Sequence, residues 1–145
     1  GSLLHPGSTA TLPLIRGSQP TQLVLVHRAG QVHVRNHPHV LIPPLPEVIR
    51  LYETVANAGG AFGSVAVVGI ALNTAHLDES AAQESIAKTI AETGLPCTDV
   101  VRFDANVLLD AVLENALILT NFGVWFPQHK KRSNGAIACR QKCDN

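Results

Sequence analysis

Histidine and arginine side chains are concentrated directly after the first apolar run of the chain. The segment HRAGQVHVRNHPH, residues 27–39, holds four of the seven histidines together with Arg28 and Arg35. Imidazolium and guanidinium groups donate charge-assisted hydrogen bonds to carboxylates and phosphates. The residue types in this segment therefore predict an anionic ligand, such as a carboxylate or a phosphate.

Two further polar segments follow later apolar runs. NTAHLD, residues 73–78, begins where the second run ends, and Arg102 with Asp104 comes after the third. The pair Asn73 and Thr74 allows two interpretations, because such side chains either cap the next helix or point donors at a ligand.

Metal binding and nucleophilic catalysis find less support. His37 and His39 have a spacing that can chelate a metal, but no cysteine or carboxylate follows within that loop, so we predict surface or anion-binding histidines and no metal site. Cys139 and Cys143 lack the two-residue gap of common zinc knuckles and are interpreted as adventitious thiols. No nucleophile elbow is present, and no catalytic residue is assigned from the pattern.

The polar segments are positioned by short apolar runs that predict strands. QLVLVHR, residues 22–28, and VAVVGIAL, residues 65–72, are β-branched and almost continuously apolar, as expected of parallel strands covered on both faces. VVRF, residues 100–103, is a shorter third candidate, and LILTNFGVWF, residues 117–126, is interpreted as an edge strand.

Helical patterns alternate with these runs. One begins near Thr11, one follows Pro46, one runs from Asp78 or Ser80 to Gly94, and one begins at a cap on Asp104. The alternation predicts a three-layer α/β/α fold with a small, mainly parallel sheet. Ligands bind at the carboxyl ends of such strands, which selects four candidate ligand-binding residues: His27, Arg28, Asn73 and Thr74.

Composition and charge narrow the class of protein. With 46% apolar and 15% charged residues, the chain predicts a globular domain, and no apolar run reaches the roughly 20 residues of a membrane span. The sequence up to Pro127 has six basic and ten acidic residues, a formal charge of −4. The residues after Pro127 include five basic residues and one acidic residue, a formal charge of +4. Because residues 1–127 are acidic, we expect no nucleic-acid partner. Three cysteines are too few for a disulfide framework, so we expect a cytoplasmic protein.

Several segments in order resemble a known family. GSLLHP, LIRGSQPTQLVLVHRAG, LPEVI, VVGIALNT and ETGLPCTDVVRFDA are similar to the carboxyl-terminal P-loop-like domain of a bacterial and archaeal family formerly of unknown function, now associated with D-glutamate N-acetyltransferase. The similarity runs from Gly1 to roughly Leu113. It implies a partial P-loop-NTPase-like or Rossmann-like domain from a cytoplasmic enzyme that acetylates an acidic D-amino acid with acetyl-CoA as cosubstrate.

The chain departs from the family pattern in places. Pro13 stands where the family favours a small residue, and Arg28 and Ala29 occupy the positions of a variable residue and a proline. The resemblance implies a phosphate loop upstream of Gly1, outside this chain. We therefore expect a truncated α/β domain over residues 1–115, with an edge strand and a basic tail outside the family match over 116–145.

Two classes of function follow from these expectations. The first is a fragment of an N-acyltransferase that is inactive alone and has no tightly bound cofactor. The alternative is a non-catalytic α/β module that binds a small anionic ligand or self-associates. A homodimer is expected in either case, because a short sheet leaves unpaired edges.

Overall fold

The computed structural model describes residues 2–58 and 63–121, with side chains described as far as residue 116. Its elements are α1 (Thr11–Ser18), β1 (Gln22–Arg28), β2 (His33–Val34), β3 (His37–Leu41), α2 (Leu45–Asn57), β4 (Ala66–Asn73), α3 (Glu79–Thr93), β5 (Cys97–Thr98) and α4 (Asn106–Asn121). None of the helices in this part of the chain is long and apolar enough to span a membrane.

The main sheet is parallel, as the apolar runs predict. Its strand order is β1-β4-β5, and both pairings are parallel. β1 has the predicted bounds, and β4 is displaced by one residue from the predicted range. The register places Arg28 beside Asn73 at the carboxyl ends of β1 and β4.

The third strand does not lie where the sequence predicts it. Residues 100–103 form a turn, and the strand is the two-residue β5 that precedes them. The side chain of Asp99 accepts hydrogen bonds from the backbone N–H groups of Val101 and Arg102. Because a carboxylate that bonds nearby N–H groups competes with a sheet ladder, the prediction of a strand over 100–103 is wrong.

The helices begin and end close to the predicted signals. Asp78 caps α3, since its Oδ1 accepts the Ala81 N–H at 2.8 Å, and Gly94 ends the helix with a left-handed φ of 70°. α4 continues to Asn121, so residues 117–121 are helical and the prediction of an edge strand is wrong for them. The remainder of that predicted strand, residues 122–126, lies outside the described residues.

The helices cover the sheet from both sides. Ile70 is fully buried in the core that α2 supplies with Leu45 and Val48. Its neighbour Gly69 points to the other face, where a Cβ atom would lie 2.6 Å from the Cδ2 atom of Leu108 in α4. Gly69 thus lets α4 approach β4 closely, and the three layers are those predicted for an α/β domain.

An unpredicted hairpin occupies the histidine-rich segment. β2 and β3 pair antiparallel, with Val34 opposite His37. The turn between them contains Asn36 with φ 64°, a left-handed conformation that asparagine tolerates better than most residues. The hairpin therefore carries Arg35 at its tip.

Candidate functional site

Arg28 and Asn73 lie side by side at the carboxyl edge of the sheet. They are register partners in adjacent parallel strands, so their side chains leave the same face. Both residues are exposed. The Oδ1 atom of Asn73 accepts the Ala75 N–H at 3.1 Å, which directs its amide nitrogen, a hydrogen-bond donor, away from that bond. Two of the four predicted ligand-binding residues are thus brought together as donors.

An apolar cavity adjoins Asn73 on the same face of the sheet as α4, beyond the part that the helix covers. This carboxyl-edge cleft has a volume of about 500 Å³ and is lined by Val26, Ala71, Asn73, Val100, Val101 and Arg102, among others. Val26 and Ala71 are register partners on its floor. A cavity of this size with few polar groups is typical of a small-molecule site.

His27 leaves the opposite face of the sheet. Its register partner is Leu72, a buried core residue, and it lines a cleft of about 380 Å³ beside α3 together with Lys88 and Glu92. Burial lowers the pKa of His27, and the carboxylate of Glu92 opposes that shift. A neutral imidazole is the form that accepts a proton, so His27 can act as a base.

Thr74 is committed to the interior of the protein. It is fully buried, its hydroxyl donates to the Oδ2 atom of Asp99, and its backbone N–H donates to the same oxygen at 2.9 Å. A hydroxyl has one hydrogen to donate, and that of Thr74 is used in the hydrogen bond to Asp99. Thr74 therefore fixes the end of β4, and the structure does not bring it to the ligand-facing surface with Arg28 and Asn73.

Asp99 is the residue of this region that sequence reasoning missed. Burial by itself raises the pKa of Asp99, but the hydrogen bonds from Thr74, Val101 and Arg102 outweigh it and lower the pKa to about 2. The guanidinium of Arg102 also donates to the backbone oxygens of Thr74 and Leu77, at 3.2 and 2.9 Å. An acidic residue directly after the pair Cys97–Thr98 and before the apolar pair Val100–Val101 was the available signal.

The remaining predicted polar residues are spread over the surface. His37 contacts His5 edge to face with ring centroids 4.5 Å apart, and His39 lies 5.7 Å from His37. Within the described ranges, no group of three or more histidine, cysteine or acidic side chains is arranged to hold a metal ion. Asp104 accepts the Asn106 N–H at the start of α4, which is a helix-capping contact.

A parallel sheet flanked by helices, with donors at its carboxyl edge, defines an α/β domain. The model of a family described as a domain of unknown function (DUF1611_C), P-loop domain, matches residues 1–109. Because this match covers most of the chain, the chain belongs to the DUF1611 family.

Two curated relatives share a name. Proteins called D-glutamate N-acetyltransferase from Tritonibacter scottomollicae and from a Pseudoalteromonas species are each 34% identical to the chain, over 113 and 103 residues. These matches cover 77% and 70% of the chain but 33% and 30% of the relatives. The chain therefore spans about a third of the length of these relatives.

A solved structure supports the same fold. The crystal structure of a DUF1611 family protein from Anabaena variabilis ATCC 29413 is 85% identical to the chain, with a TM-score of 0.76. The superposition covers 79% of this chain and 33% of that one. The α/β fold predicted from the strand and helix patterns and the P-loop-like domain implied by the family resemblance are thus confirmed.

Proposed function

We propose that the chain contributes the acidic-ligand side of an N-acyltransferase, in which acetyl-CoA acetylates the amino group of an acidic amino acid. Arg28 and Asn73 hold an anionic group of a substrate at the carboxyl edge of the sheet. One observation carries the proposal: a guanidinium and an amide donor are register partners at that edge, in a chain 34% identical to proteins named D-glutamate N-acetyltransferase.

The proposed chemistry needs a base as well as an anion site. The free amine attacks the thioester carbonyl, a C–N bond forms, the C–S bond breaks, and the amine proton must leave. His27 is suited to take that proton, because burial lowers its pKa and keeps the imidazole neutral. Although His27 and Arg28 leave opposite faces of the sheet, both line a cleft at the edge of β1, so a ligand there can contact both residues.

We expect the isolated chain to catalyse no acetyl transfer. The chain spans about a third of the relatives' length, and acyl transfer requires the cosubstrate, the amine and the thioester oxygen in one geometry. A misplacement of about 1 Å can cost on the order of 10²-fold in rate. Binding has fewer simultaneous requirements, so the chain is expected to bind a substrate without turning it over.

Two assays test this proposal. Thiol release from acetyl-CoA with D-glutamate is expected to stay at background in the wild-type chain and in a His27→Ala variant. Calorimetric titration of D-glutamate and of coenzyme A is expected to show binding of at least one of them that an Arg28→Ala/Asn73→Ala double variant loses. Arg50→Ala removes an exposed arginine elsewhere, on α2, and serves as the matched control. Unchanged affinity in the double variant would refute the site.

A specific observation also favours the second candidate, a non-catalytic module that associates through its sheet. Val26 and Val101, which line the carboxyl-edge cleft, are 74% and 93% exposed. Apolar side chains exposed together at a cleft are typical of interaction surfaces. A homodimer formed across this face would cover them.

A further inference from the structure

A third cleft lies along the free edge of β1. It has a volume of about 290 Å³, and its lining includes Leu25 and His27 from one face of the strand and Val26 and Arg28 from the other. In the described sheet, β1 pairs with β4 only. Residues from both faces of one strand can line the same cavity only at that strand's edge, so this β1-edge cleft lies at the edge of β1. It adjoins the cleft beside α3, with which it shares His27, Gln31 and Ile42.

The β1-edge cleft is lined by basic side chains. Arg28 and Arg35 line it together with His5 and His27, and no carboxylate is among the lining residues. The α3 cleft differs, because there Glu92 stands among the lining residues with Lys88. In a body whose acidic residues outnumber its basic ones, two guanidiniums and two imidazoles lining one cleft mark a place for an anion.

Tyr52 and a neutral His5 each keep a hydrogen-bond donor as well. The hydroxyl oxygen of Tyr52 accepts the Leu3 N–H at 3.1 Å, which leaves its own hydrogen for another acceptor. The Nδ1 atom of His5 accepts the Gly7 N–H at 3.1 Å, so a neutral His5 carries its hydrogen on Nε2. Both arrangements add donors to the two guanidiniums.

The hairpin fixes the wall that carries Arg35. Its two strands pair through Val34 and His37, and the backbone N–H of Ile42 donates to the Val32 oxygen at 2.9 Å. The ring of His37 packs edge to face on His5, which ties the hairpin to the amino-terminal segment. An arginine on an anchored turn loses less freedom on binding than one on a mobile loop.

The size and the floor of the cleft select among anions. A volume of about 290 Å³ is at the lower end for small-molecule pockets, which suits a small metabolite and not an entire coenzyme. Leu4, Leu25 and Val48 supply an apolar floor. Methylene groups can lie on such a floor, whereas inorganic phosphate has none.

We infer that the β1-edge cleft binds a small aliphatic carboxylate, with Arg28 and Arg35 gripping the carboxylate and with His5 and Tyr52 as additional donors. The inference rests on the proposed function in one respect, because it assigns the acidic substrate's carboxylate to this cleft. It adds His5 and Tyr52 as determinants of specificity and gives a place to Arg35, which the sequence pattern only grouped with the other basic residues of segment 27–39.

Calorimetric titration of the full chain tests the inference with three probes: glutarate, D-glutamate and inorganic phosphate. Glutarate and D-glutamate are expected to bind, and Arg35→Ala is expected to weaken both about tenfold or more, as loss of a bond to a charged group implies. The affinity of Arg35→Lys is expected to lie between those of wild type and Arg35→Ala, since lysine keeps the positive charge but cannot form the paired hydrogen bonds of a guanidinium. Arg50→Ala is expected to leave both affinities unchanged. Arg35 is exposed at a turn, so these variants are expected to fold.

The outcomes separate the inference from the proposed function. If Arg35→Ala binds like wild type while Asn73→Ala loses affinity, the cleft assignment fails and the Arg28–Asn73 pair stands. If Arg35→Ala loses affinity and Asn73→Ala does not, the cleft is the site and the pair is wrong. Phosphate binding as tight as glutarate, or no binding of either carboxylate, overturns the inference.

Discussion

One carboxylate oxygen of Asp99 accepts both the backbone N–H and the side-chain hydroxyl of Thr74. The other oxygen accepts the N–H groups of Val101 and Arg102. Asp99 thereby links the end of β4, where Asn73 stands, to the turn that follows β5. The proposed anion site depends on this link for its shape, although Asp99 itself carries the wrong charge to bind the ligand.

Replacing Asp99 is expected to destabilise the fold. In Asp99→Asn an NH₂ group replaces one of the two carboxylate oxygens. This group donates hydrogen bonds and cannot accept them, so the N–H groups that the oxygen served lose their acceptor, at a cost on the order of 3 kcal/mol in the free energy of unfolding. Thermal unfolding is expected to move down by roughly 10 °C. Asp110→Asn, on the exposed side of α4, is the matched control and is expected to unfold like wild type. Equal midpoints for the two variants would contradict the role given to Asp99.

Acid is expected to weaken the same link. The pKa of Asp99 is lowered from 3.8 to about 2, so the folded protein holds the carboxylate charged where the unfolded chain takes up a proton. Its contribution to the free energy of unfolding is therefore complete above the unfolded value and is lost as the pH falls through about 2. Denaturant titrations from pH 5 to pH 2 should show that the free energy of unfolding falls more steeply in wild type than in Asp99→Asn. Parallel losses would show that the carboxylate is not specially stabilised.

His27 is expected to make stability depend on pH nearer neutrality. Burial lowers its pKa below 6.5, so the unfolded chain binds the proton first and acidification favours unfolding. The free energy of unfolding should fall as the pH drops below about 6.5, and His27→Gln should reduce that fall. His76→Gln, which makes the same substitution at an exposed position, is the matched control. The same pH dependence in wild type and His27→Gln would exclude a buried neutral imidazole.

Cys97 is expected to be unreactive while the protein is folded. It is buried in the core, and burial raises its pKa to about 11, so almost no thiolate exists at pH 8. In a Cys139→Ser/Cys143→Ser variant, an aromatic disulfide reagent should release its chromophore only after denaturant is added. Rapid release without denaturant would show that Cys97 is accessible and that the core beside β5 opens readily.

The exposed sheet face is expected to drive self-association. Light scattering at tens of micromolar should give the mass of a dimer for wild type and a mass nearer the monomer for Val26→Thr. Val32→Thr changes an exposed valine on the hairpin side and is expected to stay dimeric. A monomer mass for wild type at every concentration would remove the homodimer.

The sequence predicts the elements well where the signal is local. The apolar runs identify β1 and β4, and a capping aspartate and a terminal glycine delimit α3. These predictions succeed because strand burial and helix capping depend on residues that are close together in the sequence. β5 escapes prediction because a two-residue strand has no periodicity. The run LILTN misleads because a short apolar segment does not distinguish a strand from a helix.

The candidate site is predicted less well, because side-chain direction depends on register. Arg28 pairs with Asn73 and His27 with Leu72, so two consecutive residues chosen for one ligand leave opposite faces. Thr74 turns inward to an acceptor 25 residues away along the chain, and Arg35 reaches the end of β1 through a hairpin. Neither the hydrogen bond of Thr74 nor the position of Arg35 in the lining of that cleft has a signature in the residues around it.

The most direct test of the account is an NMR titration of the ¹⁵N-labelled chain with D-glutamate and, separately, with coenzyme A. If Arg28 and Asn73 hold the anionic group of a substrate, the largest amide shifts occur at the carboxyl ends of β1 and β4, in residues 27–30 and 73–76. They saturate with ligand concentration and vanish in the Arg28→Ala/Asn73→Ala variant. Saturating shifts confined to another region, such as α1, or no shifts with either ligand, would contradict the account.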